Sequence, residues 1–167
     1  MMKLVKYPDK FLLRKVDDFD FEKSDPISIS NKMFDLMEKS GGIGISANQV
    51  RVNARVFVMK LSDETHEGST ITVINPEILE VSEEIEIKTE GCLSFPQIYL
   101  DIARPVHIKV KFLDKYAESC IIDLHGIDAR CFLHEYDHLA GNVFTQYVSR
   151  LRLNKARKKG KINGRAQ

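Results

Sequence analysis

The 167-residue chain has no tryptophan, only three cysteines and only five prolines. Three cysteines, a small and odd number, do not make the paired framework of a small secreted scaffold and suit a reducing compartment. No apolar run approaches the ~20 residues that a membrane-crossing helix needs, so no membrane partner is expected. The opening Met1-Met2-Lys3-Leu4-Val5-Lys6 carries no apolar core of a secretory signal. Acid is missing at one end. Residues 149–167 hold eight Lys or Arg and no Asp or Glu, which leaves 17 basic against 24 acidic residues elsewhere. The formal charge of +1 thus hides an acidic body and a basic tail. What is present is ordinary: 43% hydrophobic and 29% charged residues, in a length that suits one soluble domain.

Residues 3–23 mix short apolar groups with Pro8, Asp9 and an acidic cluster at Asp17, Asp18 and Asp20, and read as an irregular arm over the body. Ser24 is placed to cap a helix, with Asp25 and Pro26 in its first turn. The stripe Ile29, Met33, Leu36 and Met37 reads as core packing, and Gly41-Gly42 ends that helix. Val56-Phe57-Val58-Met59 predicts a strand buried on both faces. A polar turn with His66 follows, then a strand from Thr70 to Asn75 that Pro76 breaks. Ile85 and Ile87 alternate with Glu84, Glu86 and Lys88, as in a half-exposed strand. Val106, Ile108, Val110 and Phe112 alternate with His107, Lys109 and Lys111, which puts His107 on the wet face. Ser119 to Leu124 completes the strands, with His125 in a turn. With no helices interposed between strands, the pattern predicts an α+β fold: mainly antiparallel strands around a central helix.

That helix carries His134-Glu135-Tyr136-Asp137-His138. Phe132, Tyr136 and Leu139 recur at helical spacing, and Gly141 sits where a C-terminal glycine belongs. Histidines at i and i+4 share a face and can hold one metal ion, with Glu135 beside it to move protons. The plainer reading is a solvent-facing helix with two histidines. Two further stretches carry chemistry only in context. Gly42-Ile43-Gly44-Ile45-Ser46-Ala47-Asn48-Gln49 lets a backbone come close to a ligand or another strand, and lacks the Gly-Lys-Ser/Thr of a phosphate loop. In Glu90-Gly91-Cys92-Leu93-Ser94, Cys92 is either a thiolate metal ligand or a small core residue. Cys120 and Cys131 read as core residues, Cys131 as one that can line a pocket wall.

Together, in this order and spacing, the three stretches resemble the peptide deformylases. The likeness runs from about Leu4 to Tyr147, with Ser46 standing where that family's loop usually has alanine. The resemblance implies that Cys92, His134 and His138 hold a metal with one open position, and that Glu135 transfers the proton. It implies that the Gln49 amide and the Leu93 backbone N–H steady the oxyanion. Ile43, Gly44 and Gly91 would pair with the peptide as an added strand. Ile43, Leu93 and Cys131 would line an apolar pocket for a methionine side chain. An Arg104–Asp137 pair is expected to stiffen the site. One divalent ion is implied, Fe2+ in the cell, with Zn2+, Ni2+ or Co2+ able to substitute. The implied substrate is the N-formyl-methionyl end of a nascent peptide, from which formate is released.

Two rival readings fit the residues less well. A metzincin needs His ten residues after His134, but Phe144 stands there, and no acid follows Gly141 to complete a thermolysin-type site. A non-enzymatic metal module has no use for Glu135. Residues 1–148 are read as a single catalytic domain and 149–167 as a basic C-terminal helix or tail, with Leu151 docking on the body. That tail either meets ribosomal RNA or only solubilises the chain. A bacterial cytoplasm, or that of a phage-infected host, is the expected location.

Overall fold

The strands are arranged so that one helix, Gly126–Leu139, is packed against both sheets. The computed structural model describes residues 2–62 and 69–163; the polar turn with His66 lies outside them. Helix α1 spans Pro26–Lys39, and its cap is Asp25, one residue later than the sequence suggests. The Asp25 carboxylate accepts from the Ile27 and Ser28 amides while Pro26 takes the first helical position, where no N–H is missed. Met33 and Met37 on this helix are fully buried.

Five strands form one antiparallel sheet in the order β1 (Gly44–Ser46), β2 (Val56–Lys60), β3 (Thr70–Val81), β6 (His107–Leu113) and β7 (Ser119–His125). Strand β3 does not stop at Pro76 but runs through it. The ladder with β6 shifts register between Ile74 and Glu77, so proline's missing donor falls at an irregularity. Asn75 adopts φ 49°, and its side chain both accepts from the Phe19 amide and donates to the Phe19 carbonyl. That tether lays the arm across the sheet.

Strands β4 (Ile85–Cys92) and β5 (Phe95–Pro105) form a separate two-stranded sheet. The alternation in β4 is real but its faces are reversed. Ile87 is 69% exposed, whereas Glu90 is buried. Glu90 meets the buried Arg104 and Arg130, so this acid points in. His107 lies on the wetter face of β6 as expected, and its ring stacks on that of His125 at 4.4 Å.

Helix α2 (Gly126–Leu139) lies between the two sheets. Phe132 meets Phe57 of β2 edge to face at 5.0 Å, and Leu139 is fully buried. Gly141 follows the helix at φ 78°, and a side chain there would strike the Leu13 carbonyl oxygen at 2.5 Å. The arm, with a 3-10 turn at Lys10–Leu13, thus crosses the end of α2 and is pinned by the Val16 amide on the Leu139 carbonyl. A smaller core of Val5, Leu12, Phe95, Leu100, Ile102, Val143 and Phe144 lies under the arm and β5. Helix α3 (Arg150–Asn163) closes that core. Leu151 does not dock; it is 80% exposed, and Leu153 and Ala156 pack inward instead. The architecture is α+β, with antiparallel sheets around a central helix.

Candidate metal centre and hydrolase site

One turn apart on α2, the His134 and His138 rings lie 5.1 Å apart, centre to centre. Cys92, at the end of β4, faces them, with its Sγ 3.4 Å from His138 Nε2. Ligating atoms of Cys92, His134 and His138 all lie within 4.8 Å of one another. This is the only such trio among the described residues, and a thiolate with two imidazoles suits a transition metal.

The surroundings fit that ion. His134 Nδ1 is 3.0 Å from Glu90 Oε2, a contact that fixes the ring and leaves Nε2 for the metal. Burial pushes His138 well below its usual range, so its ring stays neutral. At the helix end, Asn48 donates to the His138 carbonyl.

Glu90 is the residue that sequence reasoning missed. Its carboxylate receives Arg104 through Nε at 2.6 Å and Nη2 at 3.0 Å, and Arg130 through Nη1 at 2.8 Å. Burial pushes its pKa up, but the bonds from His134 and Arg104 outweigh that and hold it at about 2. Arg104 also donates to Asp137 Oδ2 at 2.8 Å, and the Tyr147 hydroxyl donates to the same oxygen at 2.9 Å. The expected Arg104–Asp137 pair is therefore present within a larger network. The hint in sequence was an acid directly before Gly91-Cys92, on the face of β4 that seemed to be wet.

Glu135 is buried, and its Oε2 has no hydrogen-bond partner. Burial raises its pKa to about 7, against the lowering pull of the His134 charge. Gln49 is oriented from behind: its Oε1 accepts from the Ser46 amide at 2.9 Å. Its Nε2 therefore points toward Ser94 Oγ at 3.1 Å and Cys92 Sγ at 3.5 Å. Leu93 lies in the two-residue turn between β4 and β5.

These groups border a cavity of about 630 Å³, to which Ile43, Gly44, Gly91, Leu93 and Cys131 also belong. Gly44 is required by contact: a Cβ there would lie 2.7 Å from Glu135 Oε1 and 2.8 Å from Cys131 Sγ. The Cys131 thiol reaches the Ile43 carbonyl at 3.6 Å. Strand β1 is the outer strand of one sheet, and β4 pairs only with β5 in the other. Two strand edges thus border the same cavity.

The polypeptide deformylase family model matches residues 1–154. The chain belongs to that family. It is 37% identical to the peptide deformylase of Afipia carboxidovorans over 156 residues, covering 93% of this chain and 91% of that one. Among solved structures, the peptide deformylase of Legionella pneumophila superposes with a TM-score of 0.88 at 30% identity, over 100% of this chain and 97% of the other. That of Ehrlichia chaffeensis gives 0.84 at 34% identity, covering 99% and 97%. Such deformylases are metal-dependent hydrolases, and the Cys92, His134 and His138 cluster is where this chain could hold its metal.

Proposed function

We propose that Cys92, His134 and His138 hold one divalent ion, and that Glu135, Gln49 and Leu93 perform the hydrolysis beside it. The chain belongs to a family that removes the N-formyl group from newly made polypeptides, so its activity is that of an amide hydrolase releasing formate. The observation that carries the assignment of roles is the convergence of three ligating atoms within 4.8 Å, next to a buried carboxylate with an unpartnered oxygen.

When bound by Cys92, His134 and His138, such an ion would supply Lewis acidity to the water and the formyl carbonyl. Fe2+ suits this donor set in the cell, and Zn2+, Ni2+ or Co2+ would substitute. Glu135 Oε2 takes the proton of the attacking water and passes it to the departing amine. A proton affinity near neutrality suits both directions of transfer. Gln49 Nε2 and the Leu93 backbone N–H donate to the developing oxyanion. Ile43 and Gly44 on one edge, with Gly91 on the other, pair with the substrate backbone as an inserted strand. Ile43, Leu93 and Cys131 receive the methionine side chain. Residues 1–148 supply all of these groups, and the basic helix α3, Arg150–Asn163, follows them.

The substrate is then the formylmethionyl end of a chain leaving the ribosome, in a cytoplasm where such chains are made. No helix among the described residues is long and apolar enough to cross a membrane. The deciding experiment is hydrolysis of formyl-Met-Ala-Ser by anaerobically prepared protein, with bound metal quantified in parallel. Formate release that tracks metal content supports the reading. Metal-loaded, folded protein that leaves the formyl group in place sinks it.

A further inference from the structure

We propose that the groove between α3 and β5 is a second substrate subsite, selecting acidic side chains a few residues downstream of the formylmethionine. The proposal rests on the deformylase reading of the adjoining cavity.

Helix α3 is held firmly against β5. Leu153 and Ala156 pack into the smaller core, and Gly160 approaches so closely that a Cβ would lie 2.4 Å from the Gln97 carbonyl oxygen. Between these anchors Arg152, Lys155 and Lys159 recur at spacings of three and four, which puts their side chains on one helix face. They form one wall of a groove of about 640 Å³. Thr89, Gln97 and Tyr99 form the opposite border, and the same three residues line the metal-centre cavity. The two hollows are therefore neighbours across a shared rim.

The groove is unbalanced in charge. Its single lining acid, Asp101, accepts from Thr89 Oγ1 at 2.6 Å. Arg152, Lys155 and Lys159 have no acidic partner among the described residues. Three cations held on a docked helix, facing a rim shared with the reaction cavity, complement an anionic chain emerging from that cavity.

A peptide fits the position better than a nucleic acid does. Strand β4 leads from Gly91 in the cavity to Thr89 at the groove, so a peptide paired along it arrives there directly. At about 3.4 Å per extended residue, the groove receives side chains roughly three to six positions after the methionine. Partly exposed ion pairs are each worth a few-fold in binding and weaken with salt.

The test compares formyl-Met-Ala-Ser with longer peptides that extend it by Asp, Ser or Lys runs, using the metal-loaded full chain. Expected at low salt is a kcat/KM order of Asp above Ser above Lys, with about a tenfold span carried by KM, and its collapse at high salt. Lys155→Glu with Lys159→Glu should invert the order, and the matching Gln pair should flatten it. Hydrolysis of formyl-Met-Ala-Ser should stay the same in all forms. A flat order in the unaltered protein, or one that the Glu pair leaves unchanged, overturns the subsite. Loss of binding to a single-stranded RNA probe with no change in peptide order also overturns it, in favour of nucleic acid. Failure of metal-loaded protein to cleave even formyl-Met-Ala-Ser would instead overturn the reading of the cavity itself.

Discussion

Glu90 and His134 meet at 3.0 Å, and through that contact a strand of the hairpin fixes a ring on the central helix. The same carboxylate takes Arg104 and Arg130, so one acid bonds two buried cations while orienting a candidate metal ligand.

Glu90→Gln should therefore cost about 3–5 kcal/mol, because it leaves buried Arg130 without its counter-charge and Arg104 with Asp137 alone. Metal affinity should also fall by roughly 10–100-fold. The pH dependence has a definite sign. A carboxylate at about 2 when folded and near 4.5 otherwise adds stability that is whole above pH 4.5 and is lost as the pH falls toward 2. Urea melts of both proteins across that window, with metal titrations at neutral pH, check the expectation. Equal stability and equal affinity would show that Glu90 is dispensable.

Glu135→Ala should keep the metal and lower kcat by roughly 10²–10⁴-fold, since the ligands remain while the proton carrier goes. Single-turnover kinetics beside metal analysis decide the matter. A loaded variant working at the normal rate would remove Glu135 from the chemistry.

Cys92→Ser should weaken metal retention, because a neutral hydroxyl is a far poorer ligand than a thiolate. Dialysis against a mild chelator, followed by metal analysis, should strip the variant before the parent protein. Unchanged retention would place the third ligand elsewhere.

Gly44→Ala should depress turnover at least tenfold without releasing metal. The added carbon would sit 2.7 Å from Glu135 Oε1 and must displace either the carboxylate or the strand edge. The readout is kcat and KM for formyl-Met peptides with metal content held constant. Full activity would mean that Glu135 has slack that the fold does not suggest.

Contact with the ribosome is better tested by charge than by deletion. Leu153 and Ala156 belong to a core, so removing α3 would damage the body as well. Arg150→Glu with Lys158→Glu, both at exposed positions, should reduce co-sedimentation with ribosomes at low salt and flatten its salt dependence. Identical sedimentation would leave the tail a solubilising one.

How much could be read beforehand depended on the range of each interaction. The helix of His134 and His138 was legible because Phe132, Tyr136 and Leu139 mark its buried face and Gly141 its end. The cluster with Cys92 was legible only from three motifs taken together, since a strand and a helix distant in sequence must meet. Glu90 was hidden because alternation in β4 shows two faces without saying which is buried. Only Arg104 and Arg130, which come from other elements, decide that. Leu151 misled for a similar reason. A leucine among basic residues looks like an anchor, but helix rotation against β5 turned Leu153 inward and left its neighbour in water. Pro76 ended the strand by local rule, and the register shift beside it removed the conflict.

The two strand edges bordering the cavity have a temporal consequence. Strand β1 is only three residues long, so little of it is open to a rigid neighbour. If the substrate pairs with these edges as proposed, the slot accepts only a backbone that is still extended and has its own amides free. Once the first residues of a new protein are committed to a helix or sheet, those amides are spoken for. Substrate folding and deformylation then compete for the same hydrogen-bonding groups, and the enzyme's opportunity closes as its substrate acquires structure.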